Sequence, residues 1–174
     1  MKLKFAEQDI REWADRYVIT EEEEELMSLR DTVRREKRLT KPQLRLLCHW
    51  KSRRNDERVR KNDEQFVEEV SRFALTATAE RARIAALTLL DGVMWPTASA
   101  ILHLFHADRY PMLDRWALAS IGYREPTHYS FEFWWRYVEF CRDIARRNEL
   151  DMRTLDRALW WYTSEQSKKA RSEK

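Results

Sequence analysis

The chain has 174 residues, enough for one domain with a sizeable core, and 43 % of them are hydrophobic, so a folded protein is expected rather than a disordered one. With only two Gly and four Pro, and rich in Arg, Glu, Leu and Ala, it lacks the turn formers of a β protein and reads as helices with short connections. Net charge is only +3, from 33 basic and 30 acidic residues, which by itself marks no partner, and no apolar run is long enough to span a bilayer.

In chain order, the N-terminal stretch MKLKFAEQDIREWADRY turns acidic and amphipathic too soon for a secretory signal, so a cytoplasmic protein is expected. Thr20 with Glu23 has capping-box spacing and opens a helix with Leu26, Leu29 and Val33 on one face. Thr40-Lys41-Pro42-Gln43 is a second such box, with Pro early in the first turn. Asn62 can cap a helix burying Phe66, Val70, Phe73 and Ala74, and Thr78 opens one with Ile84, Leu87 and Leu90. After a break at Asp91-Gly92, Pro96 begins a helix with Ala98, Ile101, Leu102 and Phe105. Ser130 can cap the helix of Trp134, Tyr137, Val138, Cys141 and Ile144, and Asp151 the last one, with Leu155, Leu159 and Tyr162. No stretch alternates with period two. The expected fold is all-α: one domain over 1–174, about eight helices packed on a shared core, with a polar tail from about Gln166 that frays. A monomer is expected.

Charge is separated along the chain. Residues 21–25 are five consecutive acids, residues 51–61 (KSRRNDERVRK) hold six basic against two acidic, and the last seven residues are again mostly basic. Such blocks suit solvated helix faces, and they also suit an electrostatic footprint for a polyanion. The acid run complements a helix dipole and is expected to point away from any such footprint. Cys48 and Cys141 fall among apolar neighbours on helices and read as buried, reduced thiols. His103 and His106 have a spacing that can bind metal, but no third ligand accompanies them except Asp108, and no metal is expected. The eight tryptophans, including the pairs Trp134-Trp135 and Trp160-Trp161, read chiefly as packing.

Residues 89–122 (LLDGVMWPTASAILHLFHADRYPMLDRWALASIG) carry the clearest motif. A helix ends near Gly92, which tolerates a left-handed turn, and the next begins within a few residues. Free N–H groups at such a turn form a small positive concavity able to grip a phosphate oxygen. Then come Pro111-Met112-Leu113-Asp114 and another helix. This order resembles the helix-hairpin-helix, Gly/Pro-rich, Asp family of base-excision DNA glycosylases, nearest to its adenine-glycosylase branch. Leu90, Gly92, Val93, Thr97 and Ala98 fall on the hairpin pattern Leu-x-Gly-Val-Gly-x-x-Thr-Ala, and the Leu-Asp pair opening the next helix is Leu113-Asp114; the hairpin region spans 79–122.

The resemblance implies a DNA partner and monofunctional hydrolysis of the N-glycosidic bond of a damaged or modified base. Asp114 would be the essential carboxylate, stabilising positive charge on the sugar or orienting water. Gly92, Val93, Met94 and Thr97 would supply the backbone grip, with Lys51, Arg53, Arg54 and Arg115 as further phosphate contacts. Trp95, placed in the hairpin turn, can wedge at the duplex, line a base pocket, or fold back on Leu104 or Phe105. Asp114 also stands where an ordinary helix N-cap would.

The chain departs from the family in four places. Met94 replaces the second hairpin Gly. Pro96 stands where the bifunctional branch has its Schiff-base Lys, so no β-lyase step is expected. The four-Cys cluster is absent, so no iron–sulfur centre or other cofactor is expected. Residues 44–54 (LRLLCHWKSRR) lack the Glu that acts on the departing base, and His49 is the residue there able to contact it, or else a hydrogen-bonded helix histidine. Two other readings remain: a non-catalytic DNA-binding module of the same fold, and a helical interaction or scaffold protein.

Overall fold

The structure is a computed structural model that describes residues 1–124, 126 and 128–172, with side chains through Lys168. Among the described residues the regular structure is entirely helical and no strand is present. No helix there is long and apolar enough to cross a membrane. The chain sorts into two compact units, one of residues Ile19–Asp108 and one of Met1–Val18 with Arg109–Lys174.

The unit of residues Ile19–Asp108 contains α2 (Glu21–Ser28), α3 (Arg30–Glu36), α4 (Lys41–Lys51), the one-turn α5 (Asp56–Val59), α6 (Glu64–Thr76), α7 (Glu80–Leu87) and α8 (Trp95–Phe105), while α1 (Ile10–Asp15) belongs to the other unit. Helix α8 is its axis. From Thr97 to Phe105 every residue is buried, and the helix packs on α3, α4 and α7. A helix apolar on all sides has no face left for water and must be surrounded. Its C-terminal carbonyls, which no intrahelical N–H can reach, are met by two arginines of α3. Arg30 Nε donates to Leu104 O at 2.9 Å, and Arg34 donates to Phe105 O and His106 O at 3.3 and 2.7 Å.

Capping follows the sequence signals at several places. Thr20 accepts from Glu23 N–H at 3.3 Å, and Thr40 and Gln43 form the reciprocal box. Several expectations are corrected, among them that α6 buries Phe66 and Phe73, which are 40 % and 53 % exposed while Val67, Val70, Ser71 and Ala74 are buried. The helix expected from Thr20 through Val33 is broken at Leu29. Ser28 Oγ donates to Glu25 O at 2.7 Å, the carbonyl that the Leu29 N–H would use in a continuous helix. Leu29 N–H bonds Leu26 O instead, and the chain restarts as α3. At α6 the cap is Asp63, accepting from Phe66 N–H at 3.2 Å, and not Asn62, which is buried and used elsewhere.

The other unit contains α1 with α9 (Arg115–Ser120), α10 (Phe131–Arg147) and α11 (Met152–Ser172), and α11 packs on α1, α9 and α10. Ser130 caps α10, and Asp151 accepts from Thr154 N–H at 2.9 Å at the start of α11. Helix α10 buries Trp134, Tyr137, Val138, Cys141 and Ile144, as its periodicity predicts. Trp134 stacks on Tyr110 with centroids 5.8 Å apart. Phe5, Trp13 and Tyr162 pack together, and Tyr17 meets Trp160 and Trp161, so these tryptophans serve packing. Helix α11 runs through Ser172, and no Gly or Pro interrupts it.

Both cysteines are buried and unbridged. Burial pushes the Cys48 thiol up to about 12, and Cys141 is raised as well, chiefly by burial, so neither is a thiolate at neutral pH.

Glu7 ties the N-terminal segment to the end of α10. Its carboxylate accepts from Arg147 Nε at 2.8 Å and from the Asn148 amide at 2.7 Å. The hydrogen bond from Arg147, then that from Asn148, hold its pKa at about 2 instead of 4.5. A depressed carboxylate stabilises the fold above the unfolded-state pKa and loses that effect as pH falls through the folded one. Unfolding by urea between pH 5 and pH 2 should therefore show a loss of stability that Glu7→Gln removes. At neutral pH the substitution should cost less than about 1 kcal/mol, because the pair is solvent-exposed.

Candidate nucleic-acid interface

The turn between α7 and α8 is built by three residues acting together. Helix α7 stops at Leu87 with Thr88 as its C-cap, and residues 88–92 form successive turns. Gly92 has φ +81°, a left-handed conformation that side chains rarely adopt. A Cβ there would lie 2.7 Å from Val59 Cγ2, 3.1 Å from the Val59 nitrogen and 3.2 Å from Arg58 Cβ. The turn therefore rests directly on α5. Asn62, 4 % exposed, fastens the two. Its amide Nδ2 donates to Val59 O and to Asp91 O, both at 2.9 Å, and its Oδ1 accepts the Asp91 N–H at 2.8 Å.

This fastening answers a question of charge. The basic segment 51–61 and the α7–α8 turn share one recess of about 320 Å³, bordered by Asn55, Arg58, Lys61 and the turn residues 88–94. Of the six cations in 51–61, Arg53 pairs with Glu22 at 3.2 Å and Arg60 with Asp56 at 2.9 Å. Arg58 and Lys61 make no ion pair or hydrogen bond through their side chains among the described residues, and both are exposed. Among the described residues, the exposed Asp91 carboxylate is the one acid on the rim. Among turn N–H groups, that of Val93 goes to Leu90 O and that of Asp91 to Asn62, while those of Gly92 and Met94 carry no partner among the described residues. Two cations and two open N–H groups around one concavity can hold a phosphate oxygen.

The other expected contacts are placed as follows. Val93 and Met94 border the recess, with Val93 buried and Met94 60 % exposed. Thr97 is buried in the first turn of α8 and does not border it. Trp95 is the first residue of α8, half-buried, rather than a turn residue. Leu104 and Phe105 lie about 14 Å further along the same helix, so it does not fold back on them. Lys51 ends α4, half-buried, and Arg54 is exposed in the short 3-10 turn that follows. Glu22 of the acid run faces His49 and Arg53, and Glu23 is buried. His49 lies 3.9 Å from Glu22 in a different groove, with Glu25, Leu29, Arg45 and Asp56. His103 and His106 are buried, and His106 Nδ1 accepts the Asp108 N–H at 2.9 Å. Among the described residues no three His, Cys, Asp or Glu side chains gather as a metal site.

Asp114 and Arg115 belong to the other unit. Asp114 is the N-cap of α9 and accepts the Trp116 N–H at 2.8 Å. It is half-buried, and Arg115 is exposed with its guanidinium 4.7 Å from the Trp116 ring. The loop leading to Asp114 is held at the main chain of Met112. Asp156, 6 % exposed, accepts the Met112 N–H at 3.0 Å, and the buried Tyr137 hydroxyl donates to Met112 O at 3.2 Å. Burial, with the nearby Cys141, Asp156 and Asp114, raises the Tyr137 phenol well above its ordinary range, so it remains a donor. Sequence reasoning missed Asn62 as a latch, Arg58 and Lys61 as the open cations, and the Asp156–Tyr137 clamp. A buried amide after a basic run was the one available signal.

Comparison with protein-family models, with curated proteins and with solved structures returned no match.

Gly92 and Gly122 share φ +81°, but nothing lies within 4 Å of a Cβ at Gly122. Gly122→Ala should cost about 1 kcal/mol for backbone strain alone. Gly92→Ala should cost about 1–3 kcal/mol more for the clash with Val59. Urea unfolding of both variants checks this; equal costs would mean that α5 yields freely to the turn.

Proposed function

We propose that the chain is a DNA-binding protein of the base-excision-repair type, holding the sugar–phosphate backbone in the recess between α5 and the α7–α8 turn. The carrying observation is that Arg58 and Lys61, cations without an internal partner among the described residues, border the same recess as the turn's open N–H groups. Phosphate contacts of this kind set register and supply salt-dependent affinity.

Affinity for a short duplex, measured across a range of salt, tests the reading. Each cation that neutralises a phosphate contributes about 0.9 to the slope of log K against log salt, so Arg58→Ala with Lys61→Ala should flatten the slope by nearly 2. Asp91→Asn should tighten binding by removing the acid from the rim. Unchanged slopes would sink the reading and favour a scaffold role.

A second reading adds chemistry: monofunctional base removal with Asp114 as the carboxylate that stabilises an oxocarbenium-like sugar or orients water. It is favoured by the clamp on Met112, which fixes the approach to Asp114 more firmly than a helix cap requires. Pro96 offers no amine, so β-lyase cleavage is not part of it. Base release from a panel of lesion-containing duplexes should fall by about a hundredfold or more in Asp114→Asn, whose amide still caps α9. Binding without release in the wild type would leave the first reading alone.

A further inference from the structure

The groove that holds His49, about 630 Å³, lies where α4 packs on both α2 and α5. Helix α2 contributes Glu22 and Glu25, with Leu29 just beyond its end. Helix α4 contributes Pro42, Arg45, Leu46 and His49, a spacing that turns one stripe of the helix toward the groove. Asp56 of α5 and Arg60 just after it also line it. Its size falls within the range of about 300–1,000 Å³ usual for small-molecule sites.

Charge in this groove is unevenly paired. Arg45 and Arg60 share one acid: Arg45 Nε donates to Asp56 Oδ1 at 3.4 Å, and Arg60 Nε donates to Oδ2 at 3.0 Å. Two guanidiniums on one carboxylate leave a surplus of positive charge, and the Nη1 group of each has no partner among the described residues. On α2, Glu22 is taken by Arg53 at 3.2 Å. Glu25 is exposed, and its carboxylate makes no ion pair or hydrogen bond among the described residues. A free acid and a positive surplus therefore line one groove without closing on each other. Leu29 and Leu46 in the same lining are only half-buried.

We propose that this groove binds a free α-amino acid with a large apolar side chain, its ammonium on Glu25, its carboxylate on Arg45 and Arg60, and its side chain over Leu29, Pro42 and Leu46. The proposal does not depend on the DNA-binding reading, because neither Arg58 nor Lys61 lines this groove. A ligand with both charges satisfies both sides, whereas an anion alone would meet Glu25 and a cation alone would meet the two arginines. Guanidinium groups suit a carboxylate, which takes two parallel N–H bonds. Asp56 already orients both arginines, so little ordering remains to be done on binding. An apolar body covers the surface that the two leucines leave in water. The main chain inside a peptide carries no charge, so a peptide segment would have to supply both charges from its side chains.

Isothermal titration calorimetry of the whole chain with L-phenylalanine tests this. The analogues 3-phenylpropanoate and 2-phenylethylamine lack the ammonium and the carboxylate in turn. L-phenylalanine should bind about tenfold or more tightly than either, as loss of one charge-assisted contact implies. Glu25→Gln should weaken L-phenylalanine by a similar factor and leave 3-phenylpropanoate unweakened, since that ligand has no ammonium to lose. Arg60→Gln should weaken L-phenylalanine and 3-phenylpropanoate alike and leave 2-phenylethylamine unweakened. Both side chains are exposed, so helicity by circular dichroism should match the wild type. Absence of binding by L-phenylalanine at millimolar concentration would overturn the proposal. So would equal affinity for the three ligands, or variants that bind as the wild type does. Binding of an acetylated and amidated Lys-Phe-Glu peptide, with none of the free amino acid, would overturn it in favour of a protein partner.

Discussion

The side chain of Asn62 carries the recess. With both donors and its acceptor engaged, one buried amide joins the end of α5 to a turn 29 residues further along the chain. Each bond contributes about 0.5–1.5 kcal/mol net, but losing the amide would also leave the Asp91 N–H without its partner, at a cost of about 1–3 kcal/mol. The latch draws the turn so close to Val59 that only a residue without a Cβ fits at Gly92. The same close approach puts Arg58 and Lys61 beside the turn. Position of the cations and shape of the turn are thus consequences of one contact.

Charge in this unit is divided between holding the fold and facing outward. Arg30 and Arg34 satisfy the carbonyls at the end of α8, which would otherwise be left among buried apolar residues without donors. Arg45 and Arg60 both pair with Asp56, whose carboxyl stays below its usual range because these two cations outweigh the opposing effect of burial. Arg53 is drawn to Glu22. Net charge could not have shown which cations are available, since Arg30, Arg34, Arg45, Arg53 and Arg60 of this unit are already committed to acids or carbonyls. Availability is a property of pairing, and pairing depends on which helices lie side by side.

Local signals explain what could be read from the sequence. Caps at Thr20, Thr40, Ser130 and Asp151, the stripe on α10 and the apolar α8 involve residues within a few positions of each other, and the structure follows them. The failures share a cause as well. The break at Leu29 comes from a Ser28 hydroxyl competing for one carbonyl, with no Gly or Pro to announce it. At Asn62-Asp63 either residue can cap, and the choice was made by Asp91, which is distant in sequence. For the candidate site, the turn and its Gly were legible, while the partners of the turn were not.

Asp114 shows why a cap and a reactive carboxylate need not compete. Capping uses one lone pair of Oδ1, directed at the Trp116 N–H. A carboxylate has two oxygens and about four acceptor sites, so the capping bond can fix its orientation without using up those sites. What a cap does not need is a rigid approach, and here the peptide groups before and after Met112 are each held by a buried side chain, one accepting and one donating. The Tyr137 phenol can serve only while protonated, and burial keeps it so. Asp156 accepts the Met112 N–H at one carboxylate oxygen, and Arg153 lies 3.4 Å from the other. The clamp is therefore built from one buried donor and one buried acceptor in fixed roles, which is the kind of support that holds a loop to one position.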